Sequence, residues 1–256
     1  MTPLIDICII IPCYNEGERL AVQKYQDFVN KQPDILLCFV NDGSIDNTRD
    51  ILERIKNNHP DKVDILSYTH NQGKAEAVRT GMLYCNNNYN YKYIAYLDAD
   101  LSTSLDECVS LINYMKKNVE FCFSSRKMKD ESIIMAKRHR ILIGEILSLI
   151  MNRIMNLKYN DTQCGCKLFS KNLSMQVFEK EFLSKWLFDI EIFFRIIEIF
   201  GKKIVIKKIC EVPVKSWIDN GQSKVKFSYF FYLWVDIYKI YKTYELSIRL
   251  NKFIKY

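Results

Sequence analysis

An α/β architecture, a doubly wound and mostly parallel sheet with helices on both faces, is what this sequence predicts. Three observations predict it. Apolar, β-branched runs alternate with helix-like segments through the first half, the pattern of a parallel sheet built from βα units. One run, Tyr93-Ile94-Ala95-Tyr96-Leu97, stops abruptly in Asp98-Ala99-Asp100. Polar clusters, among them Asn15-Glu16, Asn41-Asp42-Gly43-Ser44 and Ser124-Ser125-Arg126, follow other runs. Open α/β sheets bind ligands there, beyond the carboxyl ends of their strands.

Residues 5–12 are continuous and β-branched, as in a strand buried on both faces. A helix over 16–30 and a strand over 35–40 follow. Asp46 or Asn47 can cap a helix running to about Asn57. The pattern continues with a strand over 63–68, a helix over 73–85, a strand over 93–97, a helix over 104–117 and a strand over 121–125. After Lys129 the alternation breaks. Residues 141–157 read as a long helix whose polar members Glu145, Ser148, Asn152 and Asn156 recur at three and four, leaving a broad apolar face. Residues 161–167 read as a loop, 188–200 as a helix, and 203–215 as two short strands around Ile209-Cys210. No internal repeat, low-complexity segment or clear linker is present. The organisation expected is one domain over 1–225 and a helical, aromatic and basic tail over 226–256, suited to a membrane surface or a dimer contact.

With 256 residues and 48% hydrophobic content, the chain can bury a substantial core. Lys plus Arg number 37 against 30 Asp plus Glu, a net charge of +7. That balance suits phosphate-rich ligands or an anionic membrane surface. It is too modest to argue for nucleic acid, and no RNA- or DNA-binding motif appears. The nine cysteines, several in apolar runs (Cys8, Cys38, Cys122), read as reduced core residues of an intracellular protein. Cys164-Gly165-Cys166 is too tight for a zinc knuckle. A strand begins almost at once, so no signal peptide is expected. No uninterrupted apolar segment reaches the ~20 residues that a bilayer crossing needs. If this protein meets a membrane, it is expected to lie on the cytoplasmic face.

Residues two apart on a strand face the same side, so Asp98 and Asp100 are expected to project together from a buried strand's end. Paired carboxylates there are costly unless a cation neutralises them. All-oxygen ligation of this kind suits Mg²⁺ or Mn²⁺, and such an ion commonly holds phosphates. An isolated D-x-D is a weak signal, because solvated turns often carry it. Its place after a buried strand gives it weight.

Taken together, Ile11-Pro12-Cys13-Tyr14-Asn15-Glu16, Val40-Asn41-Asp42-Gly43-Ser44, Asn71-Gln72-Gly73-Lys74 and Asp98-Ala99-Asp100 resemble the inverting family-2 glycosyltransferases. The match continues through Ser125-Arg126, Asp161-Thr162-Gln163-Cys164-Gly165-Cys166-Lys167, Phe188-Asp189-Ile190-Glu191, and Trp217 followed by Gly221-Gln222-Ser223-Lys224. This ordered set is most similar to the dolichyl-phosphate β-glucosyltransferase branch, near the polyprenyl-phosphate mannosyltransferases. It covers roughly residues 5 to 225. The resemblance implies the GT-A nucleotide-sugar fold, a nucleotide-sugar donor, Mg²⁺ or Mn²⁺ at Asp98 and Asp100, and a polyprenyl-phosphate acceptor.

On the donor side the resemblance implies Pro12, Tyr14, Asn15, Glu16, Asp42, Lys74, Asp98, Ala99, Asp100 and Arg126. Pro12 and Tyr14 also fit a plain turn proline and a packed ring. Asp42 can accept hydrogen bonds from a base edge or cap the next helix from an Asp-Gly turn. Lys74 starts a helix, where a cation and free N–H groups hold anions; an ordinary solvated lysine is the alternative. Arg126 can fork onto phosphate oxygens or form a salt bridge. In the family pattern the first carboxylate contacts donor ribose or sugar and the second binds the metal, which stabilises charge on the departing diphosphate. Ser102 can add a ligand.

On the acceptor side the resemblance implies Arg138, Arg140, Lys167, Trp217 and Lys224. Asp189 and Asp100 are the expected catalytic residues. Asp189 and Glu191 share one segment, and a helix start that favours negative charge explains both equally. A saccharide-hydroxyl acceptor requires a base. A phosphomonoester, with a second pKa near ~6, is already an anionic nucleophile.

The activity expected is inverting transfer of a hexose, glucose from UDP-glucose foremost, to dolichyl or undecaprenyl phosphate. The alternatives are a GDP-mannose donor, a saccharide hydroxyl acceptor in envelope glycan synthesis, or a non-catalytic nucleotide-sugar-binding scaffold. The apolar face of 141–157 and the aromatic tail, with Lys239, Lys242, Arg249, Lys252 and Lys255, suit an anionic leaflet; the tail equally suits a homo-oligomer contact.

Overall fold

β1 (Ile5–Cys13) is the axis from which the fold is wound. It pairs in parallel with β2 (Ile35–Asn41) on one side and β4 (Tyr91–Leu97) on the other. β3 (Val63–Ser67) extends the sheet beyond β2. In this computed structural model, residues 4–126, 133–135, 148–149, 152–155, 157–218 and 229–250 are described. β5 (Phe121–Ser125), β7 (Cys166–Ser170) and β8 (Ile209–Pro213) complete a seven-stranded sheet in the order β3-β2-β1-β4-β7-β5-β8. Among the described strands of this sheet β7 alone runs antiparallel, against both β4 and β5. A small second sheet pairs β6 (Ile133–Met135) with β9 (Ser216–Ile218).

Alternate residues of each strand feed opposite apolar layers, as a pleated strand buried on both faces must. Ile7, Ile9 and Ile11 of β1, with Leu37 and Phe39 of β2, meet α1 (Val22–Lys31), α2 (Thr48–Asn58) and α4 (Leu105–Ser110). Cys8, Ile10, Cys38 and Val40 face the other layer. It is covered by α3 (Lys74–Asn88), α5 (Lys171–Val177), α6 (Phe188–Phe200) and α7 (Tyr229–Leu250). Ile237, Ile240 and Tyr244 seat α7 on this second layer. Each fully buried side chain of this size contributes about 1.5–3 kcal/mol.

Several boundaries differ from the sequence reading. The helix expected from residue 16 starts only at Val22. The Glu16 N–H is taken by Thr48 Oγ1 at 2.7 Å, and Arg19 clasps the Glu16 carboxylate, so 16–20 form a turn. The helix expected over 104–117 stops as α4 and tightens into a 3-10 turn at Leu111–Tyr114. Its start is capped by Ser104, which accepts from the Glu107 N–H at 3.1 Å. The largest correction is β7: the segment taken as a loop to Lys167 enters the sheet at Cys166, and α5 follows directly. A fully buried lysine in a central strand masked the pattern. One strand, β8, and a 3-10 turn at Val205–Lys207 replace the two strands expected within 203–215. Of the helix expected over 141–157, residues 148–149 and 152–155 are helical; residues 141–147, 150–151 and 156 lie outside the described residues. Among those described, no helix is long and apolar enough to cross a membrane.

Candidate active site

Strands β1 and β4 are neighbours whose connections leave in opposite directions across the sheet. A crevice therefore opens beyond their carboxyl ends. It is a cavity of about 410 Å³, and the strand-end clusters surround it. Pro12, Tyr14 and Glu16 line it from the end of β1 and Asp42 from β2. Lys74 opens α3, Asp98, Ala99 and Asp100 follow β4, and Arg126 follows β5. Asp189 and Trp217 line it as well.

The D-x-D turn is held from several directions. Asp98 N–H donates to the Gly165 carbonyl at 3.0 Å and Tyr25 OH to the Ala99 carbonyl at 3.0 Å. Ser102 N–H donates to Asp100 Oδ1 at 2.9 Å, and the Ile218 N–H of β9 to the Ser102 carbonyl at 3.2 Å. Leu101 pays for this tight reversal with a φ of +50°, a backbone state costing about 1–3 kcal/mol for a non-glycine residue. Burial raises the Asp98 carboxyl above the ordinary value; Lys74 opposes that rise and Asp100 adds to it. The Lys74 ammonium sits 2.5 Å from Asp98 Oδ1. Burial acts to lower its pKa, but the carboxylates of Asp98, Asp189 and Asp100 outweigh burial and raise it.

Asp42 has a second task that the sequence did not disclose. Its Oδ1 accepts from Gln72 N–H at 2.7 Å, and its Oδ2 from Gly73 N–H and Asn71 Nδ2, both at 2.9 Å. The carboxylate thus folds the loop that delivers Lys74, with Gly73 at a φ of +99° opening the helix. Burial raises its pKa against these backbone donors. Three of roughly four lone-pair positions on a carboxylate are filled, so one remains on Oδ1.

Arg126 makes the salt bridge that was its alternative reading. Nε and Nη2 fork onto Asp161 at 2.6 and 2.8 Å, and the guanidinium stacks on Trp217, 5.3 Å from the ring centroid. Burial acts against Asp161, but Arg126 prevails and holds its carboxyl below the ordinary value. Trp217 is buried and lines the cavity beneath this pair.

Asp189 and Glu191 are separated by their positions on α6. Residues two apart on a helix project about 200° apart, so one faces the cleft and the other the back. Asp189 Oδ1 accepts from the Tyr96 hydroxyl and from Lys167 Nζ, the latter at 2.5 Å. Glu191 is fully buried behind it, accepting from Arg195 Nη2 and Tyr244 OH at 2.7 Å and from Leu183 N–H at 2.8 Å. Arg195 in turn donates to the carbonyls of Val177, Lys180 and Glu181. That network ties α6 to α7 and leaves Glu191 no approach to the cleft.

Two expected site residues lie elsewhere. Asn15, with a φ of +49°, accepts from the Ile45 N–H through Oδ1 at 2.9 Å and donates its own N–H to Ser44 Oγ at 3.0 Å. It joins two loops and does not line the cavity. Lys167, expected at the acceptor, is 0% exposed with its ammonium turned into the core. Arg138, Arg140 and Lys224 lie outside the described residues. Arg19, Thr103, Gln163 and Trp186 line the cavity and were missed as site residues. For Trp186, on the turn before α6, no spacing or motif in a single sequence carries the signal.

The donor set fits a hard divalent cation. Asp98 and Asp100 present only oxygens, and a Cβ on residue 165 would fall on the Asp98 carboxylate, so Gly165 keeps that space open. Among the described residues no group of three or more His, Cys, Asp or Glu side chains forms a closed metal cage. Mg²⁺ and similar ions bind through one or two carboxylates, with substrate phosphates and water completing the shell.

A family model described as glycosyl transferase family 2 matches residues 8–178. The chain is 28% identical over 246 residues to the dolichyl-phosphate beta-glucosyltransferase of Saccharomyces cerevisiae, covering 86% of this chain and 69% of that protein. A dolichyl-phosphate beta-glucosyltransferase of Trichomonas vaginalis is 27% identical over 270 residues, 96% of this chain and 76% of its own length. The Homo sapiens dolichyl-phosphate beta-glucosyltransferase is 26% identical over 251 residues, 86% and 74% respectively. Among solved structures, a glucosyl-3-phosphoglycerate synthase from Mycobacterium tuberculosis in complex with UDP superposes with a TM-score of 0.66 at 13% identity, over 94% of this chain and 80% of that one. A mannosyl-3-phosphoglycerate synthase from Rubrobacter xylanophilus gives 0.68 at 12% identity, over 98% and 76%. At such identity these two carry the fold alone, the GT-A architecture that the motifs implied.

Proposed function

This chain belongs to glycosyl transferase family 2, and from that premise we propose that it transfers glucose from UDP-glucose, with inversion, to dolichyl phosphate. The observation that carries the reading is the convergence of Asp98, Asp100, Lys74, Asp42 and Asp189 on one cavity beyond β1 and β4. The names of the relatives at 26–28% identity support the acceptor and the sugar.

The remaining lone pair of Asp42 suits an N–H of the donor's base, at the end of the cavity nearest β2. Asp98 and Asp100 would hold Mg²⁺ or Mn²⁺, and that ion supplies Lewis-acid stabilisation of the diphosphate as it leaves. Lys74 adds a second positive charge beside the same phosphates. An acceptor phosphate oxygen attacks the anomeric carbon from the face opposite the diphosphate; the new C–O bond forms as the bond to UDP breaks. Because a phosphomonoester is largely dianionic at neutral pH, with its second pKa near ~6, no side chain has to remove a proton. Asp189 then serves to position the reacting groups and to balance charge in the cleft. A lipid acceptor also calls for a surface that meets lipid. The outward face of α7 presents Trp234, Val235 and Tyr238 exposed beside Lys239 and Lys242, a combination suited to peripheral contact with an anionic leaflet.

The test is a donor and acceptor screen. UDP-glucose, UDP-galactose and GDP-mannose are each offered with dolichyl phosphate, undecaprenyl phosphate or an oligosaccharide, in Mn²⁺ or Mg²⁺. Glucose transfer to dolichyl phosphate, abolished by chelator, is expected. Turnover of GDP-mannose alone, or transfer only to the oligosaccharide, would reject the assignment.

A further inference from the structure

Lys167 is a fully buried cation behind the residues that line the cavity, and its surroundings show what it holds. It lies on β7 directly across from Tyr96 of β4. Side chains paired in this way stand on one face of the sheet, here the face covered by α6. Lysine 167 and tyrosine 96 therefore reach the same atom, Asp189 Oδ1, with Lys167 Nζ at 2.5 Å. The ammonium also donates to the Cys164 carbonyl at 2.7 Å and lies 5.4 Å from the Tyr96 ring centroid. Burying a lone ammonium is prohibitive, whereas an ammonium matched to a carboxylate and a carbonyl is tolerated.

We propose that Lys167 is a positioning residue, which fixes the Asp189 carboxylate in the cleft and never touches the acceptor. This rests on the reading of the cavity as a glycosyltransferase site. Both donors from the sheet go to Oδ1, so Oδ2 is the oxygen left to meet a cleft ligand. The same ammonium anchors the backbone at Cys164. The next residue, Gly165, accepts from the Asp98 N–H and leaves room for the Asp98 carboxylate. One buried charge thus sets two parts of the cavity's surroundings, the α6 carboxylate and the platform under the D-x-D turn.

The experiment is a double-mutant cycle with Lys167→Met, Asp189→Asn and both together, read in two ways. Steady-state kinetics with UDP-glucose and dolichyl phosphate are expected to show kcat falling about 10²-fold in Lys167→Met, the scale of a misplaced cleft group, while KM for dolichyl phosphate is held. Added to Asp189→Asn, the second substitution should cost less than about threefold more, because groups acting as one unit are not additive. Thermal unfolding should show the lysine substitution lowering Tm and Asp189→Asn restoring much of that loss. A KM for dolichyl phosphate raised about tenfold at constant kcat, fully multiplicative losses, or wild-type turnover in Asp189→Asn would overturn the proposal. Should Lys167→Met not fold, the comparison of the double variant with Asp189→Asn decides, since both lack the unpaired buried carboxylate. A wild-type protein that glucosylates no acceptor would defeat the functional reading alone, and the Tm coupling would still decide whether Lys167 holds Asp189.

Discussion

The Asp98 carboxylate occupies the space that a side chain on residue 165 would need, and the backbone of Gly165 receives the Asp98 N–H at 3.0 Å. The first acid of the pair is thus seated on β7's leading loop, a segment distant in sequence. Gly165→Ala should displace that carboxylate while leaving the sheet intact. The expected result is a loss of about 10–100-fold in Mn²⁺ affinity in the presence of UDP, the range seen when support of a metal ligand is removed. Isothermal titration would read it, and unchanged affinity would show that Asp98 has no part in metal binding.

Glu191 and Asp189 should part company under mutation. Replacing Glu191 with Leu strips the buried Arg195 of its carboxylate, and breaking such a pair costs about 3–5 kcal/mol. Tm should fall steeply, with kcat per folded molecule nearly preserved. Asp189→Asn, which strips the buried Lys167 ammonium of its carboxylate, should also lower Tm, but here kcat per folded molecule should fall with it. Paired calorimetry and kinetics check both; the reverse pattern would exchange the roles assigned here.

Asp161 gives the pH dependence a definite sign. Its carboxyl is held below the ordinary value of 3.8, burial opposing and Arg126 prevailing. The pair therefore stabilises the protein fully above that value, and the contribution is lost as pH falls through the lower folded-state pKa. The Tm gap between wild type and Asp161→Asn, open at neutral pH, should close below about pH 4. A gap that stayed constant down to acid denaturation would mean that the carboxylate charge contributes nothing.

The outward face of α7 offers a test of lipid contact. Lys239→Gln with Lys242→Gln should weaken binding to phosphatidylserine vesicles about tenfold or more at low salt, at about 1 kcal/mol per cation. Trp234→Ser should weaken it at all salt concentrations. Sedimentation with vesicles separates the two, and equal binding by all three proteins would remove this face from consideration.

How much of this was legible in the chain differs from place to place. The strands within residues 5–125 declared themselves because buried parallel strands are continuous apolar runs, and each ends in polar residues beyond the sheet. Asp98, Asp100 and Asp42 were found for that reason, and Lys74 from its place after a glycine at a helix start and from the motif resemblance. β7 was not, because Lys167 broke the apolar run: a charge in a central strand is affordable only when a partner from elsewhere meets it, and Asp189 lies 22 residues away.

By itself, then, the amino-acid order determined the winding of the sheet and the acid-tipped end of β4, since period and polarity are local properties. Only the folded chain decided what each charged group faces. It turned Lys167 inward, paired Arg126 with Asp161, folded the loop of Lys74 around Asp42, and set Asp189 to the cleft and Glu191 to the back. Those assignments depend on distances between segments far apart in sequence, and Coulomb and hydrogen-bond energies exist only once such distances are fixed.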